Sequence, residues 1–144
     1  MLLSQTSKAA IKAVACIAGA RETCGNVRIR QIVAETGENE HTLAKLLQVL
    51  VKQNVVSSSR GIGGGFFITK AQLKQPILNI VNAIEGSQAM SGCVLGLNRC
   101  SSSHPCPVHF EFAEVRARIE KLFSRTKISD ITETVASGLG FLKN

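Results

Sequence analysis

Apolar residues recur every three or four positions in the first part of the chain, a spacing typical of helices with one buried face. One such run extends from Gln5 to about Ala20, and a second covers residues 27–36 and stops at Gly37. A third runs from Asn39, which can cap its first turn, to about Gln53. Its predicted inner face is Leu43, Leu46, Leu47 and Leu50. These patterns predict three short helices, the last two joined by a tight turn.

A β-hairpin is expected directly after the third helix. Residues 55–59 and 66–68 have strand-like composition, and the glycine-rich segment 60–65 must turn between them. Its glycines allow positive φ angles and a close approach of the backbone to a partner. Two short helices joined by a turn and followed by a basic hairpin form the order of a winged helix-turn-helix.

The second half of the chain has a different organisation. A fourth helix is predicted from Pro76 to Gly86, a long one from about Val108 to Arg125, and a short one after Ser129. The polar segment 87–108 holds three of the five cysteines. The long helix carries an apolar stripe that needs cover, which predicts pairing with a second copy. This predicted dimerisation stripe is Phe112, Val115, Ile119 and Leu122.

The expected fold is therefore mainly α with a small two-stranded β wing. We predict a winged helix-turn-helix domain over residues 1–75 and a helical sensor and dimerisation segment over residues 76–144, with a cysteine loop at 87–108.

Charge and cysteine content narrow the function. The net charge is +7, and residues 1–75 hold ten Lys and Arg against four Glu, so the basic character lies in the first half. This distribution indicates a polyanionic partner, and double-stranded DNA fits the predicted fold. Five unevenly spaced cysteines suit a reducing cytoplasm better than a disulfide framework. No run is long enough to span a membrane, and no catalytic constellation supports an enzyme.

In this fold the third helix enters the major groove and the wing contacts the backbone or the minor groove. The outward residues of the first turns of that helix would face base edges, and the arginine at the wing tip suits a phosphate or a narrow minor groove. The alternatives are a hairpin domain with solvated charges and a protein-interaction adaptor. The predicted DNA-binding residues are Arg28, Asn39, Glu40, His41, Thr42, Lys45, Ser59, Arg60 and Gly61.

Two segments resemble a known family. Residues 41–50, HTLAKLLQVL, and 55–66, VVSSSRGIGGGF, are similar to the recognition helix and wing of the Rrf2 family, bacterial transcription regulators that include the IscR and NsrR types. The resemblance extends over nearly the whole chain. It implies a homodimer that binds a pseudo-palindromic operator as a repressor or dual regulator, with the long helix paired to its twin.

The resemblance also implies a role for the cysteine loop. In sensing members, three cysteines before the long helix bind an iron-sulfur cluster that reports iron-sulfur, redox or nitric-oxide status. Here the pattern is Cys93-x6-Cys100-x5-Cys106, with His109 three residues further on. Carried over, these four residues would ligate a [2Fe-2S] cluster, with His104 as the competing fourth ligand.

Some features depart from the family pattern and keep alternatives open. The first cysteine gap is one residue longer than is usual, and residues 4–8 hold no acidic ligand of the kind used by some nitric-oxide sensors. Three cysteines and a histidine would also suit zinc, and the thiols could form a redox switch or be idle. Cys16 and Cys24 are expected to be buried or incidental thiols.

Overall fold

The computed structural model describes residues 3–87 and 89–144; residues 1, 2 and 88, which fall within the predicted first domain and cysteine loop, lie outside the description. The described residues are mostly helical with one two-stranded antiparallel sheet, which confirms the predicted fold class. Along the chain the elements are α1 (Gln5–Gly19), α2 (Ile29–Thr36), α3 (Glu40–Lys52), β1 (Ser57–Ser59), β2 (Gly65–Phe67), α4 (Lys70–Leu73), α5 (Leu78–Glu85), α6 (His109–Arg125) and α7 (Ile128–Ala136).

Local capping confirms the predicted turn between α2 and α3, whereas α2 begins at Ile29 rather than at residue 27, because Val27 pairs with Phe66 in a β-bridge. Helix α2 ends at Thr36, and the φ of 71° at the following Gly37 lies in the left-handed region that favours glycine. Asn39 then caps α3, because its side-chain oxygen accepts a hydrogen bond from the backbone N–H of Thr42 at 3.1 Å. The turn is held to α1 by an ion pair between Lys12 and Glu38 at 2.8 Å.

One hydrophobic core joins the two halves of the chain. The four leucines predicted for the inner face of α3 are all buried, as expected from their spacing. They share a core cluster with Ile17 of α1, but also with Ile77, Ile80 and Ile128 from beyond residue 75. The packing of the first half therefore depends on residues of the second half. The division at residue 75 stays a prediction, and it concerns which part binds DNA and which part senses and dimerises.

The observed elements also differ from the predicted ones at α4, α5 and α7, each for a local reason. The short α4 was not predicted. Its cap is Thr69, whose hydroxyl accepts a hydrogen bond from the Gln72 backbone N–H at 3.1 Å, while Gln72 Oε1 accepts one from the Thr69 N–H at 2.9 Å. Helix α5 begins at Leu78 rather than at Pro76, because Pro76 lies in an isolated β-bridge with Lys127. Helix α7 was predicted to begin after Ser129. It begins at Ile128, the residue that directly follows the bridged Lys127.

Helix α6 has the predicted extent, and it buries no residue fully. Val115 and Leu122 of the dimerisation stripe are 47% and 45% exposed, while Phe112 and Ile119 are half-buried. Among residues 3–87 and 89–144, no helix combines the length and apolar character needed to cross a membrane.

Candidate nucleic-acid interface and cysteine loop

A groove of about 460 Å³ separates α3 from the wing. Arg28 lies at its edge, Gln48 of α3 forms one wall, and Ser59 and Gly61 of the wing form the other. The structure thus brings three of the predicted DNA-binding residues, Arg28, Ser59 and Gly61, into one surface, although they come from two separate segments. Gln48 was not among the predicted contacts, and its exposed position on α3 was the only signal for it.

The other predicted residues of α3 lie at its N-terminal end. Glu40, His41 and Lys45 are exposed, and Thr42 is half-buried. Asn39 is exposed as well, but its side-chain oxygen is engaged in capping the helix. The predicted DNA-binding residues therefore lie at the exposed N-terminal end of α3 and around the groove between α3 and the wing.

The wing is tied to the start of α2 by its backbone. Val27 donates to the Phe66 carbonyl and accepts from the Phe66 N–H, both at 2.8 Å. Asn26 donates from its side chain to the Gly63 carbonyl at 2.9 Å, which holds the tip loop. The sequence did not reveal these two contacts, because positions 26–27 and 63–66 meet only after the chain has folded.

Two wing glycines are required by close backbone packing. A Cβ atom on Gly64 would lie 2.5 Å from the Ser59 carbonyl oxygen, and one on Gly65 would lie 2.7 Å from the Val27 carbonyl oxygen. Gly65 also has a φ of 150°, which L side chains rarely adopt. At the tip, Arg60 is exposed and precedes Gly61, whose φ is 86°.

The cysteine loop surrounds one thiol with backbone donors. The N–H groups of Leu97 and Leu95, together with a smaller contribution from the Cys106 side chain, lower the pKa of Cys93 below its ordinary value. The turn that aims these donors includes Gly96, with a φ of 74°. This cradle of N–H groups favours the thiolate form of Cys93.

A second group of contacts centres on Cys100. Its sulfur lies 3.4 Å from Nδ1 of His109 and accepts a hydrogen bond from the guanidinium of Arg116 at 3.4 Å. The competing histidine, His104, instead has its ring nitrogen 3.4 Å from the Ser103 hydroxyl. The sequence analysis did not predict a role for Arg116, because a contact with a thiol sixteen positions away produces no recognisable local sequence pattern.

Cys100 and His109 are therefore in direct contact, and the Cys106 side chain lies near enough to Cys93 to help lower the pKa of its thiol. Within the described part of the chain, no three His, Cys, Asp or Glu side chains come together as a site for one metal ion. A [2Fe-2S] cluster takes two outer ligands on each of its irons, so two thiolate or imidazole pairs have the chemistry that it requires. Three cysteines and a histidine are donor types that such a cluster takes.

The two remaining cysteines differ from the expected buried thiols. Cys16 is half-buried, and burial, followed by the charge of Glu35, raises the pKa of its thiol to about 11. Cys24 is exposed, so of the two expectations for it, a buried or an incidental thiol, burial does not apply; it lies in the turn after α1, where the chain has already left the core. All five cysteines carry free thiols.

A helix-turn-helix with a glycine-rich wing beside an exposed helix end defines the class of winged-helix DNA-binding regulators. Residues 3–134 match the Rrf2 family, described as iron-dependent transcriptional regulators. The chain belongs to this family, and it is a transcription regulator rather than an enzyme.

Particular relatives agree with this assignment. A protein of Aquifex aeolicus (strain VF5) described as an HTH-type transcriptional regulator is 30% identical over 133 residues, which cover 91% of each chain. CymR of B. subtilis, the global cysteine regulator, has a similar fold with a TM-score of 0.74 at 16% identity, over 91% of this chain and 95% of that one. IscR of T. potens gives a TM-score of 0.73 at 19% identity, over 96% and 90%.

Proposed function

We propose that this regulator binds a pseudo-palindromic operator as a homodimer and that its cysteine loop senses iron-sulfur, redox or nitric-oxide status. The observation that carries the DNA-binding part is the groove between α3 and the wing, with Arg28 at its edge and Arg60 exposed at the wing tip. In this proposal Glu40, His41, Thr42 and Lys45 read base edges in the major groove, and Arg60 contacts a phosphate or the minor groove.

The dimer part rests on α6. Its stripe leaves Val115 and Leu122 nearly half exposed in the single chain, and the adjoining Val108 is 40% exposed. A second copy with its own α6 presents the same face, so one two-fold interface would cover both stripes. The spacing between the two copies of α3 would then match two half-sites of the operator.

The DNA-binding proposal is tested by fluorescence anisotropy with promoter fragments and bulk DNA, at several salt concentrations between about 50 and 200 mM. We expect a steep loss of affinity with salt, and Arg60→Ala should lose about 1–3 kcal/mol of binding free energy. Arg125→Ala removes a charge from the exposed last turn of α6 and serves as the control. Equal affinity for every fragment and for bulk DNA would contradict sequence-specific binding.

For the sensor, we propose that Cys93 and Cys106 hold one side of a [2Fe-2S] cluster and that Cys100 and His109 hold the other. The contacts within each pair support this assignment, and the position of His109 beside Cys100 favours it over His104. When bound, the cluster supplies a redox-active centre whose state or loss changes the loop. The backbone N–H groups around Cys93 stabilise the negative sulfur that ligation requires.

Protein purified without oxygen tests the cluster. We expect visible absorption, with iron and acid-labile sulfide in equal amounts, and both should be lost in Cys106→Ala. Cys24→Ala, an exposed thiol outside the loop, should keep them. Zinc in place of iron would assign a structural metal to the same residues. A colourless protein that also resists reconstitution with iron and sulfide would contradict the cluster.

The contact between Cys93 and Cys106 favours one alternative, a thiol switch. In that case an oxidant such as a peroxide would accept two electrons while the two thiols lose their protons and form a disulfide. Mass spectrometry after peroxide treatment would then find Cys93 joined to Cys106, and the cluster-free protein would change its operator affinity on oxidation.

A further inference from the structure

The guanidinium of Arg116 connects α6 to two separate parts of the cysteine loop. Its Nη1 atom donates to Cys100 Sγ at 3.4 Å, to the Gly92 carbonyl at 3.2 Å and to the Ser91 carbonyl at 3.5 Å. It also lines a polar cavity of about 700 Å³ between the loop and α6, together with Cys93 and Cys100. One side chain of the long helix therefore reaches both the start and the middle of the loop.

The position of Arg116 on α6 makes this contact specific to one face. His109 and Arg116 are seven residues apart, so they lie within about 20° of each other around the helix and about 10 Å apart along it. Both touch the sulfur of Cys100, which is thus held over this face. The predicted dimerisation stripe, with Val115 and Leu122, lies on the adjoining face of the same helix.

In the described part of the chain, the cysteine loop and α6 contribute little to the hydrophobic core. Helix α6 buries no residue fully, and the loop exposes the apolar residues Val94, Leu95 and Leu97. A segment with little buried apolar surface depends on its hydrogen bonds for local order. The positive charge of the guanidinium strengthens its bonds to the two carbonyl oxygens, while the sulfur is the weaker acceptor.

We propose that Arg116 is a positioning residue that couples the cysteine loop to the long helix. It holds Cys100 beside His109, so that ligation of Cys100, or formation of the Cys93–Cys106 disulfide by a peroxide in the same loop, shifts the loop against α6 and moves the dimerisation face. The inference deepens the proposed function and rests on the cysteine loop being the sensor. In this proposal Arg116 transmits a change at the cysteine thiols to the dimerisation face of α6.

The first measurement is hydrogen–deuterium exchange of residues 91–100 in the reduced, cluster-free protein. In Arg116→Gln this segment should exchange about ten-fold faster, because the charged hydrogen bonds are lost. Arg116→Lys keeps the charge but not the fork of donors, so its exchange should be intermediate. Arg118→Gln is the matched control: it makes the same change on the same helix, about 200° around from Arg116, and should exchange as the wild type does.

The second measurement is the ratio of operator affinities between two loop states, loaded against cluster-free, or oxidised against reduced. In Arg116→Gln this ratio should fall towards one, while the affinity of the cluster-free form stays within about two-fold of wild type. Unchanged exchange, or a preserved ratio, in Arg116→Gln would overturn the role of Arg116 alone. A wild-type ratio of one would overturn the coupling and the proposed sensor together.

Discussion

Replacing Gly65 with Ala should detach the wing from the start of α2 without unfolding the protein. The new Cβ would lie 2.7 Å from the Val27 carbonyl oxygen and 3.0 Å from its carbon, and both are backbone atoms that cannot rotate away. The φ of 150° at this position adds strain for any residue with a side chain. The chain can relieve the clash only by moving β2 away from Val27.

The magnitude follows from the bonds that this movement breaks. The two hydrogen bonds between Val27 and Phe66, each 2.8 Å long, contribute together about 1–3 kcal/mol. Residual strain at residue 65 adds about 1–3 kcal/mol. A domain of ordinary stability, about 5–15 kcal/mol, survives such a loss. The helices should therefore persist. The wing should move away from α3, and operator affinity should fall at least about ten-fold.

Two substitutions separate the causes. Gly63→Ala places a side chain at a positive φ of 75° in the same wing but meets no atom within 4 Å, so it isolates backbone strain. Gly19→Ala, at the end of α1, also meets nothing and should be neutral or slightly stabilising. Anisotropy with the operator and thermal unfolding by circular dichroism give the two readouts. If Gly65→Ala binds as wild type does, or if Gly63→Ala loses as much, the contact with Val27 does not position the wing.

Three further predictions concern the dimer, a buried amide and pH. Val115→Asp should give monomers by light scattering with weak operator affinity, whereas a monomeric wild type at micromolar concentration would contradict the proposed α6 interface. Gln72, only 3% exposed, bonds to Asn54 and Ser57, so Gln72→Leu should lower the unfolding free energy in urea by about 1–3 kcal/mol; no loss would mean that water replaces these bonds. Burial acts to raise the pKa of Glu85, but hydrogen bonds from Ser7 and Ser4 outweigh it and lower that pKa below 4.5. The resulting stabilisation is present above about pH 4.5 and is lost as the pH falls through the lowered folded-state pKa, so Glu85→Gln should be less stable than wild type at pH 7 and similar to it in strong acid.

Local sequence pattern was enough to predict the helix-turn-helix and the extent of the long helix α6. The spacing of the leucines of α3, the cap at Asn39 and the stop at Gly37 act within a few residues, and the structure has each of them as expected. The extent of α6 was equally readable, because its apolar stripe and its length are properties of one continuous segment. The glycine-rich wing and the similarity of residues 41–66 also identified the family, which the match over residues 3–134 confirms.

Tertiary structure decided the contacts between distant segments. The burial of Ile128, the bond from Asn26 to Gly63 and the reach of Arg116 to Cys100 join positions that are far apart in sequence. Periodicity reports only which face of a segment is buried, and it carries no information about which other segment covers that face. Polar contacts of this kind depend on backbone geometry and side-chain direction, which are set only when the whole core has packed.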